Sequence, residues 1–254
     1  MKYKTSMLSI LLLITWGIFS QKAPNKATFE VYGINIDTLA QMVHKHPRYF
    51  EHLKKLWIEK SHSMPQDELM LLYYGSAFMK NYHPKKEDEA VEQIAKIMAE
   101  MEFAKAINEG KKLLDVYPLN ARLYMLMGYA YKKIGEKQKS KHYYQLYADI
   151  LRIPLYSGSG KNFDSAFVVR NISDEYLILN QKDLELVMQE MRYHNELPFD
   201  VMRIKPKSKD NKRMQELPKE KLYFNVYLPY FIGQGKNYKS LQEDARRKYK
   251  LPKE

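Results

Sequence analysis

Residues 121–154 read ARLYMLMGYAYKKIGEKQKSKHYYQLYADILRIP, and this stretch decides the fold class. Tyr124, Met127 and Tyr131 recur three and four positions apart, the spacing of one helix face. Gly135 with Glu136-Lys137 interrupts that period, and a second run carrying Ser140 and Tyr144 follows. Gly128 and Ser140 are small, so the two helices can approach closely while the large rings fill the space toward the next pair. A helical hairpin ending near Pro154 is expected.

Counted from Ala121, the hairpin falls in the register of a tetratricopeptide repeat, a unit of roughly 34 residues. Tyr124, Met127, Gly128, Tyr131, Ser140 and Tyr144 take its characteristic large, small and aromatic places, with Pro154 two residues late. One period earlier Ile94-Ala95, Ala106 and Pro118 are in phase, so residues 87–99 and 103–116 are expected as a degenerate second hairpin. A plain helical bundle with the same spacing is the alternative. Further back, Asn35 or Asp37 can cap a helix through Leu39, Met42 and Val43. Pro47 restarts a helix with Phe50, Leu53 and Trp57 on one face, and Pro65 opens a third bearing Leu69, Leu72 and Tyr73. Residues 21–34 read as a short polar lead.

After Pro154 the pattern changes. SGSGKN at 157–162 is a turn, and AFVVRNISDEYLIL at 166–179 predicts a β-hairpin broken at Ser173-Asp174. LELVMQEM at 184–191 fits either period, and the alternation continuing through Arg192-Tyr193 favours a strand. Residues 199–204 and 222–228 read as further strands. The fold class is therefore α+β: tetratricopeptide-like helical hairpins followed by a small antiparallel sheet of four or five strands. The expected parts are a leader at 1–20, a helical-repeat part at 21–154, a β-rich part at 155–232 and a basic tail at 233–254. Two repeats make a short stack, so the sheet and the N-terminal helices are expected to cover its ends.

Lys2 and Lys4 precede an apolar run from Met7 to Phe19, with Ser20 before Gln21. That is the layout of a secretory signal peptide. Its 13 residues would reach roughly 20 Å as a helix, short of a hydrocarbon core of about 30 Å. The chain is expected to be exported, periplasmic or extracellular, with no transmembrane span once the leader is cleaved. It contains no cysteine, which excludes a lipoprotein anchor, thiol catalysis and thiolate metal sites, and fits a bacterial envelope protein with a sizeable core.

The net charge of +12 is uneven: residues 203–254 carry 15 Lys/Arg against six Asp/Glu. Such a segment can dock on an anionic envelope polymer or serve as a solvated loop and tail. An exported location argues against nucleic acid.

No constellation carries chemistry. SGSGK lacks the preceding strand, the Ser/Thr after lysine and the following helix that a phosphate loop needs. His44, His46, His52 and His62 are not paired at ligand spacing and read as surface residues. Asp174-Glu175 reads as turn and surface chemistry rather than a general acid–base pair. The 21 tyrosines fall mostly at core positions. No catalytic residue, cofactor or metal is expected.

LYYGSAF at 72–78, SGSGKNFDSAFVVRNISDEY at 157–176 and LYFNVYL at 222–228 together resemble the uncharacterised exported bacterial family called domain of unknown function 4919, over roughly residues 45–230. The resemblance implies compartment and architecture, and assigns no activity, cofactor or residue role. The functional expectation is a non-enzymatic binding or scaffold protein of the bacterial envelope, holding a protein or peptide partner. On the first helix of the clear hairpin, Arg122, Met125, Tyr129 and Lys132 would form a mixed apolar and cationic strip for it. The alternatives are surface association through the basic C-terminal segment, or an enzyme with an unrecognised site.

Overall fold

The computed structural model describes residues 28–60, 64–207 and 221–235. The leader at 1–20, His62, the lysine-rich loop at 208–220 and nearly all of the basic tail lie outside the described residues.

A short hairpin opens the described chain, β1 (Glu30–Val31) against β2 (Ile34–Asn35). Tyr32 and Gly33 between them take positive φ, 52° and 73°, the left-handed pair that a two-residue hairpin turn requires. Val31 is fully buried, so the reading of 21–34 as a polar lead is corrected over residues 28–34, where the Tyr-Gly turn folds Val31 onto the helices, and its part at 21–27 lies outside the described residues. Helix α1 (Ile36–Lys45) follows, and Asn35 caps it by accepting from the backbone N–H groups of Asp37 and Thr38 at 2.9 and 3.3 Å. Its buried stripe Ile36, Leu39 and Val43 packs inward. Helix α2 (Pro47–Lys60) buries Phe50, Leu53 and Trp57, and each such side chain contributes roughly 1.5–3 kcal/mol through burial. Helix α3 (Gln66–Gly75) is buried all along residues 69–75. A Cβ on Gly75 would lie 2.3 Å from the Phe50 ring, so that glycine lets α2 and α3 touch.

Helices α4 (Pro84–Ala99), α5 (Phe103–Val116), α6 (Ala121–Lys133) and α7 (Lys137–Leu155) form two successive antiparallel pairs. Asn120 caps α6 by accepting from the Leu123 N–H at 2.8 Å. The close approach anticipated at Gly128 is present: a Cβ there would meet the Tyr144 ring at 3.0 Å, and the Ser140 hydroxyl donates to the Gly128 carbonyl at 2.8 Å. Pro154 sits inside the last turn of α7 rather than ending it. A smaller core of Val91, Ile94, Ile107, Leu123, Met127 and Tyr131 lies among α4, α5 and α6. The larger core runs from Val31 and Trp57 through Leu151 to Phe224, uniting the N-terminal helices, α7 and the sheet. Trp57 pins the corner between α5 and α6, its indole N–H donating to the Pro118 carbonyl at 2.6 Å.

The sheet has four strands in the order β3 (Phe167–Val168), β6 (Lys221–Asn225), β5 (Leu197–Pro206), β4 (Leu184–His194). Strands β4, β5 and β6 form the expected antiparallel meander, turning at Asn195-Glu196 with both φ positive. Strand β3 runs parallel to β6, so the sheet is mixed.

The hairpin expected over 166–179 is the main correction. Only two of its residues are strand, and Ile172–Gln181 is helix α8. Asn171 is extended (φ −124°, ψ 150°), and its N–H donates to the carboxyl of Asp174 at 3.2 Å, one half of a capping box. Asp174 and Glu175 lie in the first turn, where the helix dipole favours acids. The β-branched residues suggested a strand, and the capping chemistry won.

Candidate functional site

Helix α8 and the segment before it are packed from below by two clusters of buried polar groups and border a groove on the outside. In the first cluster Arg170 faces Glu87 of α4. The guanidinium donates through both terminal nitrogens, at 3.1 and 2.8 Å, and Nε donates to the Ser76 hydroxyl at 2.8 Å. Arg170 and Glu87 are only 5% and 1% exposed. The amides of Asn120 and Asn171 donate to the same Glu87 oxygen at 3.0 and 2.8 Å. The Tyr82 ring lies 5.4 Å from the guanidinium carbon, and its hydroxyl donates to the Arg170 carbonyl. Burial would lower the Arg170 pKa, and the Glu87 carboxylate overrides it and drives the pKa up.

Tyr73 continues this cluster. Its hydroxyl donates to Asp174 at 2.6 Å and accepts from the Arg170 N–H at 3.2 Å, while the Tyr74 hydroxyl donates to the Val168 carbonyl at 3.0 Å. The segment LYYGSAF and the segment VVRNISDEY thus interlock side chain to backbone. Burial pushes the Asp174 carboxyl up to about 7, against the opposing bond from Tyr73. The expectation that Asp174-Glu175 is surface chemistry is corrected, because both residues face inward and are 2% exposed or less.

The second cluster holds Glu175 and Asp200 of β5, with Gln189 of β4 between them. One amide nitrogen of Gln189 donates to Asp200 at 2.7 Å and lies 3.5 Å from Glu175. The other Glu175 oxygen is buried with no partner among the described residues. Burial raises Asp200 to about 6 and raises Glu175 well above its ordinary range, the Asp200 charge adding to the second shift.

Outside these clusters runs a groove of about 500 Å³ between α6, α8 and the start of β4. Leu177, Leu179, Leu184 and Leu186 form its apolar lining, and Arg122, Tyr176 and Lys207 are among its polar groups. The Tyr176 hydroxyl donates to the Gln189 carbonyl oxygen at 2.7 Å, so the groove wall connects through one amide to the buried carboxyl pair. Ser173 donates to Asp88 at 2.7 Å, and Lys207 donates to Asn180. Its size and mixed lining suit a ligand or an extended chain.

Of the strip anticipated on α6, Arg122 lines this groove and pairs with Glu92 at 2.7 Å. Met125 packs half-buried against the larger core. Tyr129 packs edge-on against Phe103, with Lys133 over its ring at 5.2 Å, and Lys132 is exposed. Tyr176 and Lys207 were not singled out from sequence, and only the acid pair preceding Tyr176 drew notice. The SGSG turn engages its own amides, since the Ser159 and Gly160 N–H groups donate to the Ser165 carbonyl at 2.9 and 2.7 Å. Among the described residues no group of three His, Asp or Glu side chains could hold a metal ion, and no helix is long and apolar enough to cross a membrane.

Comparison with known families matches residues 40–229 to the family described as Domain of unknown function (DUF4919). The match takes in both buried clusters and the groove. No curated protein and no solved structure matches the chain.

Proposed function

This chain belongs to the domain of unknown function 4919 family, and we propose that it is an exported, non-enzymatic binding or scaffold module of the bacterial envelope. In this reading α4–α5 and α6–α7 are tetratricopeptide-like hairpins, and a protein or peptide partner lies as an extended segment in the groove between α6, α8 and β4. The observation that carries it is the groove itself, an apolar lining of Leu177, Leu179, Leu184 and Leu186 bordered by Arg122 and Lys207, two cations against the one acid Glu185. That pairing of apolar surface with two cations fits a hydrophobic segment bearing an acidic side chain or terminus. The buried carboxyls do not line the groove but sit behind Tyr176 and Gln189, which supports a binding rather than a catalytic role.

Selection of acidic-hydrophobic peptides from a displayed library on the purified mature chain tests the reading. Selected peptides should lose about tenfold or more in affinity against a chain carrying both Arg122→Glu and Lys207→Glu, and little against Lys132→Glu, since only the former pair borders the groove. Peptides that bind all three chains equally would sink it.

A second reading rests on the charge asymmetry of residues 203–254, with 15 cations to six anions. It docks this segment on anionic envelope polymers and predicts binding that weakens steeply with salt, ion pairing being screened over about 10 Å at 0.1 M.

A further inference from the structure

Glu175 and Asp200 present a like-charge problem inside the protein. They come from different elements, helix α8 and strand β5, and meet at a single amide nitrogen of Gln189. They are 0% and 2% exposed. Neither forms an ion pair with a lysine or arginine among the described residues. Arg170, the nearest buried cation in the sequence, spends its donors on Glu87 and Ser76. The titratable groups acting on the pair from each side are acids or phenols. Asp174 and Tyr176 lie on α8, Asp88 on α4 and Tyr230 in the turn Leu228–Ile232. Two carboxylates held together in such surroundings cannot both ionise, because one amide and a helix N-terminus offset too little of the desolvation and mutual repulsion. Gln189 has one amide nitrogen there and satisfies Asp200 better than Glu175, so a further proton has to complete the contact.

We propose that Glu175 and Asp200 share one proton and act as a pH-sensitive clasp, fastening helix α8 to the sheet while the proton is present and loosening it once the proton leaves. The clasp concerns the folded chain itself and stands whether or not the groove holds a partner. Its consequence reaches the groove, because Tyr176 hangs from the same Gln189 whose nitrogen serves the pair. Loss of the proton turns a hydrogen-bonded pair into two buried anions and pushes α8 away from β5. The direction follows from linkage: the folded pair holds its proton where unfolded carboxyls, with pKa of about 4, have lost theirs. The stabilisation is complete below the unfolded carboxyl range and is lost as pH rises through the folded values.

The test is the folding constant of the mature chain by urea unfolding, measured from about pH 5 to pH 9, beside Glu175→Gln and Asp200→Asn. For one linked proton, the wild-type constant should fall by up to about tenfold per pH unit across its titration. Glu175→Gln keeps a donor toward Asp200 and should remove that part of the fall, leaving the Asp174 contribution common to both proteins. Equal slopes in wild type and Glu175→Gln would overturn the clasp. If neither variant folds, carboxyl carbon NMR of the labelled wild-type protein decides: one of the two groups still protonated at neutral pH supports the clasp, and both ionised refutes it.

Discussion

Two buried clusters lie five residues apart on one segment and solve burial in opposite ways. At Arg170 a cation meets the anion Glu87, and Ser76, Asn120 and Asn171 add hydrogen bonds to the pair, although the Asn171 Oδ1 is itself buried with no partner among the described residues. At Glu175 an anion-former meets another, with a single amide between them and one oxygen left alone. The first arrangement joins opposite charges and needs no added proton, whereas the second holds only with one. One turn of chain therefore separates a fixed joint from a conditional one. The fixed joint ties α8's entry to α3 and α4, and the conditional one ties its body to the sheet.

The comparison breaks most directly at the fixed joint. Arg170→Met leaves Glu87 buried and unpaired, and should cost about 3–5 kcal/mol of stability by urea unfolding at neutral pH. Tyr73→Phe removes a donor from buried Asp174 and should cost about 1–3 kcal/mol. Because that bond holds the Asp174 carboxyl down against burial, the loss should be smaller at acid pH, where the carboxyl is protonated. Glu175→Gln sharpens the contrast from the other side, costing little at acid pH and gaining stability relative to wild type as pH rises from the ordinary carboxyl range toward the raised value at which burial and the Asp200 charge hold Glu175. Tyr176→Phe frees Gln189 at a half-exposed site, and should shift stability by about 0.5–1.5 kcal/mol. Smallest for folding is Arg122→Glu with Lys207→Glu, within about 0.5 kcal/mol per site on thermal unfolding, although the groove reading expects it to matter most for a bound partner.

Much of the scaffold was legible because local chemistry declared it. Asn35 or Asp37 announced α1, and Gly128 with Ser140 announced the tight pairing of α6 with α7, whose phase carried back one period separated α4 from α5. Helix α8 was hidden because Val168, Val169, Ile172 and Ile178 read as strand, while the capping signal at Asn171 and Asp174 occupied two polar residues easily taken for a turn. The parallel pairing of β3 could not be read, since two residues carry no period. Glu87 looked like an ordinary acid opening a helix. Its partner lies 83 residues away, and only tertiary packing buries the two together. Arg122 was named from helical phase for a strip with Met125, Tyr129 and Lys132, whereas the groove it borders is completed by Tyr176 and Lys207 from α8 and the end of β5, neither visible as a neighbour of α6 in the sequence.

Amide hydrogen exchange resolved along the chain, repeated from acid to alkaline pH and corrected for the intrinsic pH dependence of exchange, tests the difference between the two joints most directly. The clasp predicts that amides in α8 lose protection as the shared proton leaves, while those of α4 around Glu87 keep theirs over the same range. Protection in α8 that stays constant, or that falls only in step with α4, would contradict it.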